Sequence, residues 1–130
     1  NTWTLTEQLF ASLQGESAFY LQPYHQLRHP LIFYYGHVAA LYVNKLRVAG
    51  VLTAPVNAHF EALFETGVDE MSWDDTHQGT AQWPSVAAVV SYRRQVYEVV
   101  AELIATHPRL APASRGSWAW AHSALPFCNQ

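Results

Sequence analysis

The sequence predicts an all-α protein, and three observations support that prediction. Three stretches, residues 2–13, 31–49 and 85–106, place apolar side chains at the spacing of an α-helix. No stretch alternates apolar and polar residues as a half-buried strand does, and no internal repeat is visible. Half of the 130 residues are hydrophobic, which is enough to give one domain a core. Together these features predict a bundle of three long antiparallel helices and one short helix.

The first predicted helix covers residues 2–13 and ends before Gly15. Leu5 and Leu9 flank its apolar side, which is the spacing of an amphipathic helix. The residues after Gly15 predict a loop, residues 16–27, that holds one helical turn at residues 17–21. The side chains that define the inward face of the helix share helical spacing: Trp3, Thr6, Phe10 and Leu13.

The central helix lies within residues 28–50 and is apolar almost all round. Pro30 suits its first turn, because the fixed φ of proline is helical and its missing N–H would be unpaired there. Gly50 suits its end. The strongly polar residues fall in the last two turns, where the cations also favour the helix dipole. Such a helix is usually surrounded by others, so we expect residues 31–49 to be the most buried segment.

One face of the central helix carries a polar stripe. Its members fall within roughly 80° of one another at the helical period of 100° per residue. Buried polar groups need partners, so the stripe is either a structural hydrogen-bond network or the wall of a binding site. The pattern alone favours the structural network. The stripe consists of Tyr34, His37, Leu41, Asn44 and Val48.

A short helix and a long loop are predicted after Pro55. Asn57 is a plausible N-cap, with Phe60, Leu63 and Phe64 facing inward and Gly67 ending the helix. The following residues, 68–83, show no period but contain three large apolar side chains among acidic ones. We expect an ordered loop there, because tryptophan side chains need packing partners.

The last clear helix is predicted from Ser85, as its N-cap, to about Thr106, before Pro108 prevents continuation. Four charged residues are expected on its solvent side: Arg93, Arg94, Glu98 and Glu102. Its inward face is predicted from residues that follow the helical period: Val86, Val89, Val90, Val96, Val99, Val100, Leu103 and Ile104.

Charge and cysteine content limit the function classes. The formal net charge is −3 and the cations are scattered, which speaks against nucleic acid or an acidic membrane as a partner. The single cysteine, Cys128, cannot form an internal disulfide. The apolar run at residues 31–43 is too short to span a bilayer, and we expect no signal peptide before the fold. We therefore expect a cytoplasmic chain. Its start inside a helix, without methionine, predicts a piece of a longer protein.

The seven histidines do not form a helical metal-binding pair. Two ligands on one helix need a spacing of three or four residues, and the pair with that spacing, His25 and His29, lies in a turn before Pro30. His29 and His37 are about 12 Å apart along a helix axis. No phosphate-binding glycine loop, nucleophile elbow or cysteine pair is present. Composition and spacing alone predict a helical domain with one buried histidine.

Four segments resemble a known family. HPLIFYYGH (residues 29–37), NKL (44–46), GVDEMSWDD (67–75) and WPSVAAVVSYRRQVYEVV (83–100) are similar to the N-terminal DinB-like domain of 5-histidylcysteine sulfoxide synthases, which act in ovothiol biosynthesis. The resemblance covers nearly all of residues 2–108. The related sulfoxide synthases of ergothioneine biosynthesis share the domain but carry a different central helix, so the match favours the ovothiol enzymes.

The resemblance implies a DinB-like bundle of four helices packed against a domain like the formylglycine-generating enzyme. A non-haem iron(II) held by three histidines lies between the two domains. The family reaction joins the sulfur of cysteine to the imidazole of histidine, using dioxygen, and leaves a sulfoxide. One iron ligand falls on His37, so the stripe members Tyr34 and Asn44 become candidates for lining the site.

The family motif that supplies the other two ligands, H-E-x-x-H, has no counterpart here. Residues 109–130 diverge from the family after Pro108, and His122 has no partner four residues later. We therefore expect residues 1–108 to form a partial DinB-like bundle without its last helix, and residues 109–130 to form a divergent or truncated tail. This chain alone is expected neither to retain iron nor to catalyse sulfoxide formation.

Two other classes of function remain open from the sequence. A DinB-type metal-dependent thiol transferase would also need three histidines. A non-catalytic helical module would use its acidic, tryptophan-bearing loop to pack against a partner domain.

Overall fold

A computed structural model describes residues 2–25, 28–65 and 82–108. Within these residues every regular element is helical, which confirms the all-α class. The loop at residues 68–81 and the tail at 109–130, for which the sequence made specific predictions, lie outside the described residues. The helices in chain order are α1 (Thr2–Ala11), α2 (Ser17–Tyr20), α3 (Leu31–Val48), α4 (Ala58–Leu63) and α5 (Val86–Thr106).

The predicted caps position the helices. The side chain of Asn57 accepts a hydrogen bond from the backbone N–H of Phe60 at 3.1 Å, and that of Ser85 accepts one from Ala88 at 3.2 Å. Each bond satisfies one of the N–H groups that a helix start leaves unpaired. Gly50, with φ of +66°, allows the left-handed turn that follows α3. Local sequence chemistry therefore sets these boundaries.

Helix α3 is the centre of the fold, as predicted. Half of its 18 residues are buried, and it packs against α2, α4 and α5. Its buried residues lie on several sides of the helix, which agrees with its apolar character all round. They are Ile32, Phe33, Tyr35, Gly36, Ala39, Ala40, Tyr42, Val43 and Leu46.

The directions of the long helices differ from the prediction. Trp3 contacts Tyr42, whereas Phe10 contacts Tyr35, so α1 runs antiparallel to α3. Arg93 of α5 binds the carbonyl of Tyr35, and later residues of α5 pack near the end of α3 beside Leu46. Helices α3 and α5 are therefore parallel. The reason lies in α4, which runs back along α3: Glu61 lies at Asn44, and Phe64 lies at His37, nearer the start of α3.

Helix α5 is amphipathic, but its buried face differs from the predicted one. Arg93, expected on the solvent side, is only 1% exposed, because it lies between α1 and α3. Val90 and Ile104, expected in the core, are exposed at 36% and 51%. The buried residues of α5 are Val89, Tyr92, Arg93 and Val96.

Helix α1 covers the bundle with its aromatic side chains and has no fully buried residue. Leu5 and Leu9, expected to flank the core, are mostly exposed. Trp3 and Phe10 make the contacts with α3 instead. None of the described helices combines the length and the apolar character that crossing a bilayer requires.

Gly36 marks the closest approach of α3 to the residues after α4. A Cβ atom at this position would lie 2.4 Å from the ring of Phe64, which is fully buried. Alanine in a helix interior normally gains about 1 kcal/mol over glycine. Here we expect Gly36→Ala to destabilise the fold instead, by about 1–3 kcal/mol, because the Phe64 ring has no room to move.

Urea unfolding followed by circular dichroism measures this effect. The matched control is the double variant Gly36→Ala, Phe64→Leu, in which a smaller side chain faces the new methyl group. In the Phe64→Leu background, Gly36→Ala should lower the free energy of unfolding by less than it does in the wild-type background. A Gly36→Ala protein more stable than wild type would show that the two elements separate easily.

Candidate functional site

His37 lies in the middle of α3 with its ring half-buried. Its Nδ1 atom is 2.6 Å from the carbonyl oxygen of Phe64, and its ring stacks on Phe33 with centroids 5.4 Å apart. A carbonyl only accepts hydrogen bonds, so Nδ1 carries the proton. In the neutral ring the lone pair is then on Nε2, for which no hydrogen-bond partner occurs among the described residues. This is the arrangement that a histidine needs to bind a metal.

The carbonyl that binds His37 is available because α4 ends at this point. Phe64 is the C-cap of α4, and the last carbonyls of a helix have no partner within it. Phe64 itself is held by its ring, which packs against Phe33 and Trp83. The position of His37 therefore depends on where α4 ends.

His29 lies on the other side of Phe33 from His37. Its ring is 4.3 Å from that of Phe33 and 6.0 Å from that of Trp83, so three rings follow one another along the start of α3. Burial, and secondarily the nearby His37, lower the pKa of His29 from its ordinary value of 6.5. Burial therefore favours the neutral form of His29.

This lowered pKa predicts a stability that depends on pH. The unfolded chain takes up a proton at His29 near pH 6.5, whereas the folded chain resists it, so the free energy of unfolding should fall as the pH drops below about 6.5. We expect His29→Phe, which keeps a ring beside Phe33, to reduce that fall. Urea midpoints measured above and below this pH test the expectation. The exposed His59, replaced by phenylalanine, is the control, and an equal reduction there would contradict it.

The other two polar members of the α3 stripe also have partners. The hydroxyl of Tyr34 accepts a hydrogen bond of 3.4 Å from the backbone N–H of His29. Asn44 donates from Nδ2 to the carbonyl of Glu61, in α4, at 3.3 Å. Val48, at the end of the stripe, is 81% exposed. His37 and Asn44 thus both bind main-chain carbonyls of the α4 region, so the stripe serves as a structural network there, while Nε2 of His37 has no partner in the described part of the chain.

Glu61 is a buried carboxylate that the sequence analysis did not identify. Its Oε1 atom accepts hydrogen bonds from the backbone N–H groups of Val56 at 2.7 Å and Asn57 at 2.8 Å. Its Oε2 atom lies 3.5 Å from a guanidinium nitrogen of Arg47. The signal in the sequence is an acidic residue four positions after the N-cap Asn57, one position later than in a standard capping box.

Tyr92 lies near this carboxylate. Its hydroxyl is buried and has no hydrogen-bond partner among the described residues, and burial, with a smaller effect of Glu61, raises its pKa. The region between α3, α4 and α5 is therefore polar and shielded from solvent.

A second polar cluster joins α1, α3 and α5. Arg93 donates to Oε1 of Glu7 from Nε at 2.8 Å and from a terminal nitrogen at 2.6 Å, and to the carbonyl of Tyr35 at 2.6 Å. Its guanidinium also lies over the rings of Trp3 and Tyr35, 4.6 and 4.3 Å from their centroids. The cluster borders an open cleft of about 300 Å³ between α1 and α5.

The hydroxyl of Tyr35 completes this second cluster by donating to Oε2 of Glu7 at 2.9 Å. Burial and this carboxylate raise the pKa of Tyr35 to about 12. The tyrosine is therefore a stable hydrogen-bond donor. Every charged group here is occupied by another member of the cluster, which indicates a structural role.

The described residues do not form a complete metal site. In residues 2–25, 28–65 and 82–108, no three histidine, cysteine, aspartate or glutamate side chains are grouped so that they could hold an ion. His37 is thus a single candidate ligand. His77 and His122, and the resembling string at residues 67–75, lie outside the described residues.

Comparison with known proteins adds no family assignment. No protein-family model matches this chain, and no curated protein sequence matches it.

Proposed function

We propose that this chain is part of a non-haem iron(II), oxygen-dependent sulfoxide synthase of the ovothiol type, in which His37 supplies one iron ligand. The observation that carries the proposal is the pairing of His37 Nδ1 with the Phe64 carbonyl at 2.6 Å, which leaves Nε2 as the lone-pair nitrogen. The resemblance of residues 29–37 to the family supports the proposal, since it implies a ligand role for the same histidine. We also propose a cytoplasmic location, since one cysteine forms no internal disulfide.

The proposed reaction balances without an external reductant. The thiol of cysteine and a ring C–H of histidine react with one O₂; a carbon–sulfur bond forms, one oxygen atom joins the sulfur, and the other leaves as water with the two hydrogens. Bound iron(II) supplies the site where dioxygen is activated. In such a site Nε2 of His37 would hold the metal, and the stacked Phe33 ring would limit the rotation of the imidazole. Cysteine, histidine and dioxygen are thus the proposed substrates.

The residues present fit one part of such a site. One imidazole with its second nitrogen held by a carbonyl suits a histidine ligand, but three ligands are needed to impose the geometry of a non-haem iron centre. The other two ligands, and the packing partner, a domain like the formylglycine-generating enzyme, are therefore proposed to lie elsewhere. Accordingly, we expect residues 1–130 alone to bind iron(II) weakly and to form no sulfoxide.

A graft tests the proposal directly. Residues 2–108 of this chain replace the corresponding segment of a full-length ovothiol sulfoxide synthase, which supplies the H-E-x-x-H motif and the partner domain. After anaerobic loading with iron(II), cysteine, histidine and oxygen are added, and the product is identified by mass. We expect sulfoxide formation by the grafted enzyme and none by residues 1–130 alone.

The control graft carries the same number of residues from an unrelated helical bundle, and it should be inactive. A grafted enzyme that folds and contains iron but gives no sulfoxide would contradict the proposal. Stoichiometric iron in residues 1–130 alone would show that other residues of this chain complete the site.

One observation favours a second candidate function, a helical interaction module. Leu5 and Leu9 on α1 and Tyr97 and Ile104 on α5 are large apolar side chains exposed to solvent. A continuous apolar patch on neighbouring helices is typical of surfaces that pack against another protein. Sedimentation analysis of the chain with and without Leu5→Ser and Leu9→Ser tests this candidate, which predicts association that the two substitutions abolish.

A further inference from the structure

A continuous series of contacts leads from the buried carboxylate of Glu61 to the ring of His37. Glu61 lies in α4, and the carbonyl of Phe64, the C-cap of that helix, holds His37. Helix α4 has six residues, too few to be stable on its own in water. Its position must therefore come from contacts outside the helix, and these determine where the Phe64 carbonyl lies.

Polar contacts tie α4 to α3 at two points. Asn44 binds the carbonyl of Glu61, and His37 binds that of Phe64. The two donors are seven residues apart on α3, so they lie on one face of it. The two acceptors are three residues apart near the end of α4. The two hydrogen bonds therefore require the same orientation of α4, and each one depends on the other being formed.

The Glu61 carboxylate supplies that orientation from the opposite end of α4. Its Oε1 atom accepts from the N–H groups of both Val56 and Asn57, so the chain entering α4 is bound to a residue within it. Its Oε2 atom faces Arg47 on α3 at 3.5 Å. Glu61 is 2% exposed, and hydrogen bonds to a charged acceptor in such surroundings are stronger than those on the surface.

We infer that Glu61 is a positioning residue for His37, acting through α4 to hold the ring as the Nδ1–H tautomer with Nε2 free. The inference deepens the proposed function, on which its catalytic meaning rests, but the tautomer can be measured without iron. Neutral histidine in water prefers the Nε2–H tautomer, which would block the metal-binding nitrogen. Helix α4 reverses this preference.

The test is nitrogen NMR of full-length chain labelled with ¹⁵N-histidine, without metal, at about pH 8.5, where a histidine of ordinary pKa is neutral. His37→Gln assigns the His37 signals. We expect wild type to show His37 as Nδ1–H. Glu61→Ala should shift it toward Nε2–H, while far-ultraviolet circular dichroism shows the helices retained. Glu61→Gln should restore Nδ1–H, because its side-chain oxygen still accepts from the two N–H groups.

The control variant is Glu98→Ala, which removes an exposed carboxylate from α5 and should leave His37 unchanged. A folded Glu61→Ala chain with His37 still fully in the Nδ1–H form would overturn the inference. If Glu61→Ala loses its helical signal, Glu61→Leu replaces it, since that change also removes the carboxylate but fills the buried space. An unchanged His37 tautomer in a folded Glu61→Leu chain would equally overturn the inference.

These outcomes separate the inference from the proposed function. A tautomer that responds to Glu61, in a chain whose graft forms no sulfoxide, leaves the positioning role intact and rejects the proposed enzyme. An active graft in which Glu61→Ala changes neither the tautomer nor the iron content rejects only the positioning role.

Discussion

Replacing His37 by alanine in the grafted sulfoxide synthase is expected to lower turnover by more than about 100-fold. Loss of an outer-shell partner of a metal ligand costs up to about 100-fold, and loss of the ligand itself should cost more. The reason is the arrangement of the ring: Nδ1 is hydrogen-bonded to the Phe64 carbonyl, so Nε2 is the nitrogen that would bind the metal in the proposed site. Without it, two ligands remain, and water takes the third position. Iron content and product formation should therefore fall together.

A matched control uses another histidine of the same graft. His59 lies exposed on α4, and His59→Ala should leave both iron content and turnover within about twofold of the parent graft, as is usual for surface positions. A His37→Ala graft that keeps its iron and its turnover would remove His37 from the ligand set. The polar stripe of α3 would then be a structural network alone.

Replacing Glu7 by alanine is expected to destabilise the fold by about 3 kcal/mol, the lower end of the cost of breaking a buried ion pair. Glu7 itself is not buried, since its side chain is 39% exposed, but Arg93 is. The substitution leaves a guanidinium with two unpaired donors in the interior. The contacts of the guanidinium with the rings of Trp3 and Tyr35 remain. The destabilisation should therefore stay below the largest values seen when a buried ion pair is broken.

The double variant Glu7→Leu, Arg93→Met removes both charges, so it tests the loss of the ion pair without leaving an unpaired charge in the interior. Replacing both partners by apolar side chains of similar size is often neutral, so most of the lost stability should return. Glu98→Ala on the surface of α5 is the control and should change the free energy of unfolding by less than about 0.5 kcal/mol. If urea unfolding shows the Glu7→Ala chain to be as stable as this control, water molecules replace Glu7 as hydrogen-bond partners of Arg93, and the expectation is wrong.

The helices were predictable because their ends are decided locally. Ser85 and Asn57 cap α5 and α4 through their own side chains, and Pro30 and Gly50 delimit α3 through backbone geometry. The burial of α3 was predictable too, because a helix without a polar face has no side to present to water.

The direction and the buried face of α5 were not predictable in the same way. Both depend on the long connection from α3, which periodicity does not describe. Arg93 was placed in solvent because charged residues mostly lie there, yet its partners are 86 and 58 residues away in the chain. A contact over such a distance leaves no local signal in the sequence.

The candidate site was predictable only as far as its side chains carry a motif. His37 was found through the resemblance of residues 29–37 and through its place in the stripe. Its partner is a main-chain carbonyl, which any residue provides, so nothing in the sequence marks Phe64 as that partner. Glu61 was missed for a related reason, because two of its contacts are backbone N–H groups of Val56 and Asn57.

The ion pair between Glu7 and Arg93 also has a consequence for synthesis on the ribosome. At ordinary rates of translation, roughly ten seconds pass between the addition of the first partner and that of the second. During this interval α1 has neither its ion partner nor the surface of α5 to pack against, and Trp3 lacks its ring contact with Tyr97. Slower translation lengthens this interval, so the yield of folded protein should depend on chaperones that bind apolar nascent segments.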